Sequence, residues 1–575
     1  MVEAMSTRLT EPSAIDTAVE VLVAHKDEWA RLDFPRRLSL LADLCRRVGA
    51  VAEAWAVAGV VGQGDPPRQP DLGRGMAVRA VHQPDRHRRP PPVAGPVVAG
   101  HHHVRSRLGG PGPGGRTVLG AVPADLTERL LFSGHTGEVW IGAESDGIPF
   151  ASLTAGFYRG QERHGRVCLV LGAGNISSIP VTDTLYKLFV EGQVVVLKMN
   201  PLLDYLGVIF ERMLGGLIDA GYLRIVYGGT EVGGGLIAHP GIDMVHITGS
   251  ERSHDSIVFG TGAEGTRRRR ANQPLLTKPI TSELGGVSPL IVVPGPWTDT
   301  DLSYHAELAA TQKLVNSGFN CIATQVVILP DRWAHTDRFV TRIEETIAGI
   351  PARTAYYPGA ADRCSRAIES HHDVVSLGGE PPRVHLRNVP AGTNHPVFVE
   401  EQFASVLAST RLEHHDPADF LDAAVHFANH RLHGSLGANL VVHPETVRTL
   451  GGRFTDAITD LRYGCVAINT WTGFGFGQPK LPWGAYPGNP PDAIGSGSGV
   501  VHNALMFDHP EKAVVTGPFH LAHRSWKGGG LNLAPRPAWF VTNRTALTTA
   551  RRLTRHAADG SPRHLPGIIA SALRG

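Results

Sequence analysis

The 575-residue chain contains no C-x-x-C pair, and its five cysteines (Cys45, Cys168, Cys321, Cys364 and Cys465) are scattered and odd in number. This usage excludes a disulfide framework and a thiolate zinc site, and no metal is expected. No apolar run approaches the ~18 residues needed to cross a bilayer, so no membrane span is expected. The opening residues, MVEAMSTRLTEPSAIDTAVEVLV, lack a basic segment followed by an apolar core and a small-residue cleavage site, which argues against a secretory signal. Charge is nearly balanced: 55 basic side chains against 53 acidic ones leave a formal net charge of +2. Such a balance selects neither nucleic acid nor membrane as a partner. A cytoplasmic location is the expectation.

One stretch is short of nearly everything that builds a core. From Gly62 to about Gly120 the chain has no lysine, no aromatic residue and few acids, and it reads as Gly, Pro, Arg and His. It shows neither helical nor strand periodicity and cannot bury enough apolar surface to fold alone. A disordered insert and a frame-shifted piece of a GC-rich gene both account for it. His101–His103 lie inside it and read as chance composition. A second biased region, beyond Val515, is basic, with Asp559 as its only acid, and reads as an appended arm.

The remainder is orderly. Ile15, Val19, Leu22 and Val23 recur at helical spacing, as do Leu38, Leu41, Ala42 and Cys45. After Thr127, short apolar runs (RVCLVLGAGN, QVVVLKMNP, LRIVYGG, DMVHITGS, SPLIVVPG) alternate with helical segments such as VTDTLYKLFVEG. This alternation predicts an α/β fold with a parallel sheet covered on both faces, whose ligands sit at the carboxyl ends of the strands. LGAGNISS has two of the three glycines of a dinucleotide loop, with Ser177 in place of the third. HITGS ends a strand and opens a helix, where backbone N–H groups suit a phosphate.

The order of LGAGN, VVVLKMNP, HITGS, TSELGGVSP, NSGFNC, EEQFASVL and PKLPWGAYPG resembles the aldehyde dehydrogenase superfamily, from about Arg166 to Gly488. The resemblance implies a Rossmann-like cofactor domain and an α/β catalytic domain. We place the NAD(P) domain at 1–282, the catalytic domain at 283–485, and a C-terminal return segment and basic arm at 486–575. A hairpin serving oligomerisation falls at about 137–165.

By the same resemblance, Cys321 is the nucleophile that attacks an aldehyde carbonyl. Asn175, through its amide, and the Cys321 backbone N–H stabilise the developing oxyanion. Glu283 is the general base that activates water to hydrolyse the thioester. Lys198 meets the adenosine ribose, Gly249 and Ser250 the pyrophosphate, and Glu401 and Phe403 the nicotinamide end. The implied cofactor is NAD or NADP, the partner a small-molecule aldehyde, and the assembly a homodimer or homotetramer. A CoA-linked acylating dehydrogenase and a catalytically silent binding or scaffold protein are the alternatives. The chain departs from the family pattern in several places. Phe319 replaces a glutamine, Gln325 stands where a basic residue is common, Ala173-Gly174 precede Asn175, and LPWGAYPG replaces a Pro-Phe-Gly-Gly pattern. Cys45, Cys168 and Cys465 lie in apolar runs and read as core residues, whereas Cys364 reads as a helix-surface or half-buried residue.

Overall fold

A computed structural model describes residues 8–64, 108–142, 145, 148, 152–160, 163–521 and 532–575. His101–His103 and most of the Gly/Pro/Arg-rich stretch lie outside these residues.

The apolar runs between residues 167 and 284 form a doubly wound sheet. Its strands are β4 (Val167–Leu171), β5 (Val194–Lys198), β6 (Leu223–Val226), β7 (Met244–Gly249) and β8 (Ile280–Leu284), all parallel. A short β17 (Gly497–Ser498) adds antiparallel to β8 and completes the order β17-β8-β7-β4-β5-β6. β4 and β5 are apolar and buried nearly end to end because helices cover both faces. β4 lies between β5 and β7, so the winding reverses there, and a crevice opens at its carboxyl end.

The second sheet has eleven strands. Its parallel centre consists of β9 (Ser288–Val292), β10 (Thr324–Pro330), β12 (Val384–Leu386), β13 (Val406–Leu412), β14 (Gly437–Val441), β15 (Cys465–Ile468) and β19 (Pro510–Thr516). Antiparallel strands close both flanks: β11 (Val374–Ser376) on one side, and β3 (Thr136–Ile141), β2 (Thr117–Val122) and β1 (Leu108–Pro111) on the other. The end of the Gly/Pro/Arg-rich stretch thus supplies β1 and part of β2. Strand β3 and the bridge Thr154↔Phe507 fall in the segment expected to hold a hairpin. A two-stranded ribbon pairs β16 (Trp483–Gly484) with β18 (Val500–Val501). Strands from beyond residue 485 therefore enter both sheets.

The C-terminal residues 532–575 pack down on the molecule. Arg536 donates to Glu307 at 2.5 and 2.9 Å, Val541 N–H donates to Thr311 Oγ1 at 3.2 Å, and the buried Phe540 ring stacks on Tyr304. All three partners lie on the helix Asp299–Leu314. The helix Ala546–Asp559 also buries Leu547 and Ala550 against Ala56 and Val60 of the long helix Phe34–Val61.

Candidate active site

The helix Asp299–Leu314 starts on a Thr298–Asp301 capping box and ends in a turn of unusual backbone. Asn316, Ser317 and Gly318 all have positive φ (55°, 55° and 78°). Such conformations persist only where surrounding contacts over-determine them. Here Asn316 Nδ2 donates to the carbonyls of Asn175 (3.1 Å) and Phe319 (2.9 Å), and Ser405 Oγ donates to the Ser317 carbonyl at 2.8 Å. A Cβ on Gly318 would fall 2.5 Å from the Ala404 carbonyl oxygen, so only glycine fits. This pinned turn delivers Cys321 to the start of β10. Cys321 is half-buried, whereas the other four free cysteines are buried. Cys364, expected at the helix surface or half-buried, is buried at 2% exposure because its helix lays that face on the second sheet.

Glu283, near the end of β8, is buried, and its Oε1 accepts from Cys321 Sγ at 3.5 Å and from Trp483 Nε1 at 3.1 Å. Burial pushes Glu283 up to about 7; the Asp183 carboxylate adds to the rise and the Trp483 N–H opposes it. Burial, followed by the Glu283 and Glu401 carboxylates, lifts the Cys321 thiol well above its ordinary value. The resting proton therefore sits on sulfur, hydrogen-bonded toward a carboxylate near neutrality. Asn175 lies between β4 and the helix Ile179–Phe189. Its amide donates to the Phe319 carbonyl at 3.2 Å, and its own carbonyl accepts from Asn316, Tyr356 (2.9 Å) and Gln63 (3.5 Å). Asn175 and Cys321 line one cleft of about 990 Å³, counted to its open mouth.

The remaining expected positions lie along the strand ends of the first sheet or on the loop before β13. Lys198 ends β5, is 8% exposed, and makes no hydrogen bond among the described residues; burial lowers its pKa, against the opposing Asp204 charge. Gly249 and Ser250 are exposed where β7 gives way to a helix. Ser250 Oγ already caps that helix, accepting from Ser253 N–H at 3.2 Å. Glu401 takes the Gly286 N–H, but its Oε1 is buried without a partner. Burial, then Glu283, pushes it up to about 8. A Cβ on Gly285 would lie 2.0 Å from that Oε1, so the first glycine of ELGG makes room for the Glu401 carboxylate. Phe403 has φ 40° and packs on Tyr357 with ring centroids 4.8 Å apart.

Three of the sequence departures acquire a structural purpose. Phe319 is buried against Tyr356, Tyr357 and Phe403. Gln325 donates to the Val397 and Glu400 carbonyls (2.7 and 2.8 Å) and accepts from Gln402 N–H, tying the EEQF segment to β10. Trp483, within LPWGAYPG, supplies the N–H on Glu283. Sequence reasoning missed the polar layer beneath the base. Thr248 Oγ1 donates to Asp183 Oδ2 at 2.7 Å, and His246 Nδ1 lies 2.9 Å from Thr281 Oγ1. Thr248 is the register partner of Glu283 and His246 that of Thr281, so all four share one sheet face. Asp183 Oδ1 is buried there without a hydrogen bond.

Residues 166–371 match the model of the aldehyde dehydrogenase family. A 3,6-anhydro-alpha-L-galactose dehydrogenase of Streptomyces coelicolor is 31% identical over 29% of this chain and 31% of its own length. A succinate-semialdehyde dehydrogenase [NADP(+)] of Mycobacterium ulcerans is 28% identical over 44% of this chain and 51% of its own. The chain thus matches about a third to a half of the length of these two curated relatives. The NADP complex of a glyceraldehyde-3-phosphate dehydrogenase from Methanocaldococcus jannaschii superposes with TM-score 0.58, covering 89% of this chain and 96% of that one at 14% identity. Residues 166–371 thus match the aldehyde dehydrogenase family model, and the chain shares its fold with the solved dehydrogenase structure it superposes on.

Proposed function

We propose that the protein oxidises an aldehyde to a carboxylic acid with NAD(P)+, using Cys321 as nucleophile and Glu283 as its base. One observation carries the reading: the Cys321 thiol, on the wall of a cleft shared with Asn175, lies 3.5 Å from a buried carboxylate. A thiol is a poor nucleophile until it loses its proton, and Glu283 is within reach to take it. Sulfur then adds to the aldehyde carbon, and charge develops on the carbonyl oxygen. The Cys321 backbone N–H and the Asn175 amide are the donors for that oxygen. When bound, the nicotinamide ring supplies the hydride acceptor that turns the adduct into a thioester. Glu283 gives up the thiol proton to solvent and then removes a proton from water, whose oxygen attacks the thioester, releasing the carboxylic acid and restoring the Cys321 sulfur as leaving group. Trp483 holds Glu283 in place for both proton transfers.

The residues at the strand ends suit a dinucleotide. A buried carboxylate oxygen without a hydrogen-bond partner, Glu401 Oε1, is costly unless a ligand's hydroxyl group completes it, and the Lys198 side chain at the end of β5 offers an ammonium beside the same sheet. Exposed Gly249 and Ser250 leave a helix N-terminus open to a pyrophosphate. The supported roles are Lys198 at one ribose, Glu401 at the other, and Phe403 against the nicotinamide end. The assembly proposed is a homodimer or homotetramer. Retained Glu283 favours water over a thiol as acyl acceptor. Purified protein incubated with an aldehyde and NAD+ or NADP+, with and without CoA, tests the reading. Carboxylate formation supports it, acyl-CoA formation would replace it with the acylating reaction, and cofactor binding without any product would favour a silent relative.

A further inference from the structure

The candidate cleft has a wall the family match does not cover. Ala56 and Val60, from the end of the helix Phe34–Val61, and Trp539, from the C-terminal segment, line it together with Trp471 and Phe476; the family match ends at residue 371. Trp539 packs against Trp471 with ring centroids 5.8 Å apart. Its position is set from both sides. The Arg536–Glu307 pair and the buried Phe540 fix the chain around it, and the helix Ala546–Asp559 clamps the helix that carries Ala56 and Val60.

The chemistry of this wall is one-sided. Among the described residues the lining has no Asp, Glu, Lys or His. Its single cation, Arg353, donates to Gln63 Oε1 at 3.2 Å. A phosphorylated or acidic aldehyde would meet a single cation, already hydrogen-bonded to Gln63, and no second one to share its charge. A sugar would meet the Ser178 hydroxyl and the asparagines around Cys321, but, apart from indole N–H groups, no polar side chain on the wall of Ala56, Val60, Trp471, Phe476 and Trp539. An alkyl chain would meet three aromatic rings and small aliphatic side chains.

From this we infer, resting on the catalytic reading above, that the substrate is an unbranched apolar aldehyde and that Trp539 of the C-terminal segment is a specificity-determining residue gripping its tail. Each methylene buried in the cleft then raises kcat/KM about fourfold until the wall is filled.

Two readouts test this with the full chain. The first is kcat/KM along the series from propanal to heptanal for the wild type, Trp539→Ala and Trp539→Phe. The second is calorimetric binding of heptanamide and propanamide, unreactive carbonyl analogues, to the same three proteins. The expected result is a rising series in the wild type and a heptanal-to-propanal ratio lowered about fifteenfold in Trp539→Ala, a loss worth roughly two methylenes of contact. Trp539→Phe should recover part of it, and heptanamide affinity should follow the same order. A flat series with active enzyme would overturn the inference, as would equal heptanamide affinity in wild type and Trp539→Ala. Trp539-dependent heptanamide binding with no turnover of any aldehyde would support the apolar cleft and overturn the catalytic reading instead.

Discussion

Replacing Glu283 by glutamine should make Cys321 more reactive while stopping the enzyme. The carboxylate oxygen lies 3.5 Å from the sulfur, and both groups are held away from water. A negative charge at that distance opposes thiolate formation by about 5 kcal/mol at an effective dielectric near 20, which raises the thiol's pKa. Glutamine keeps the size, removes the charge, and offers an N–H to the thiolate. The thiol should therefore titrate at lower pH, and iodoacetamide should alkylate Cys321 faster at neutral pH than in the wild type. Hydrolysis of the thioester needs the base, so steady-state turnover should fall by about 10²–10⁴-fold. The assay is the pH dependence of alkylation, followed by mass spectrometry of the Cys321 peptide, beside steady-state rates on the same preparation. An unchanged alkylation profile would refute the proposed coupling of sulfur and carboxylate.

Three more outcomes follow from the same geometry. With Glu283 near 7 and needed deprotonated, kcat/KM should rise with pH through that region; Asp183→Asn removes a buried negative charge and should move this acid limb to lower pH by about one unit, while Trp483→Phe removes the opposing N–H and should move it higher, both read from pH–rate profiles. Gly285→Ala puts a methyl group 2.0 Å from Glu401 Oε1, so the carboxylate must swing away, and calorimetric affinity for NAD+ or NADP+ should drop at least tenfold with the fold retained by circular dichroism. Glu344 accepts from His385 and Arg387, which hold its carboxylate down to about 2 despite burial. A depressed carboxylate stabilises the fold above its unfolded value and loses that contribution as pH falls through the folded one. Thermal melts should therefore show wild type losing stability below about pH 4.5, and Glu344→Gln should be destabilised by about 3 kcal/mol at neutral pH.

The first sheet was legible because burial on both faces leaves a direct trace: β4, β5 and β7 are short, nearly continuous apolar runs ending in glycine or lysine. The order of motifs brought Cys321, Glu283 and Asn175 together on paper; in the structure Cys321 and Asn175 line one cleft, and Glu283 lies buried 3.5 Å from the thiol. The layer behind them was not legible. Asp183 and Thr248 are 65 residues apart in sequence, and their hydrogen bond exists only because a helix crosses the sheet face. Trp483 read as a departure because a pattern of residue types says nothing about where an indole N–H points. The C-terminal segment read as an arm because its excess of basic residues outweighed Trp539, Phe540 and Leu547 in composition. Only packing against Glu307, Tyr304 and Ala56 reveals it as part of the cleft.

The most direct test of the central claim follows reduced-cofactor formation by the wild type and by Cys321→Ser across a panel of aldehydes, with folding verified for both. The account predicts turnover by the wild type and none by Cys321→Ser, with an acyl adduct trapped on the Cys321 peptide in Glu283→Gln. Turnover that survives in Cys321→Ser, or an adduct on another residue, would contradict it.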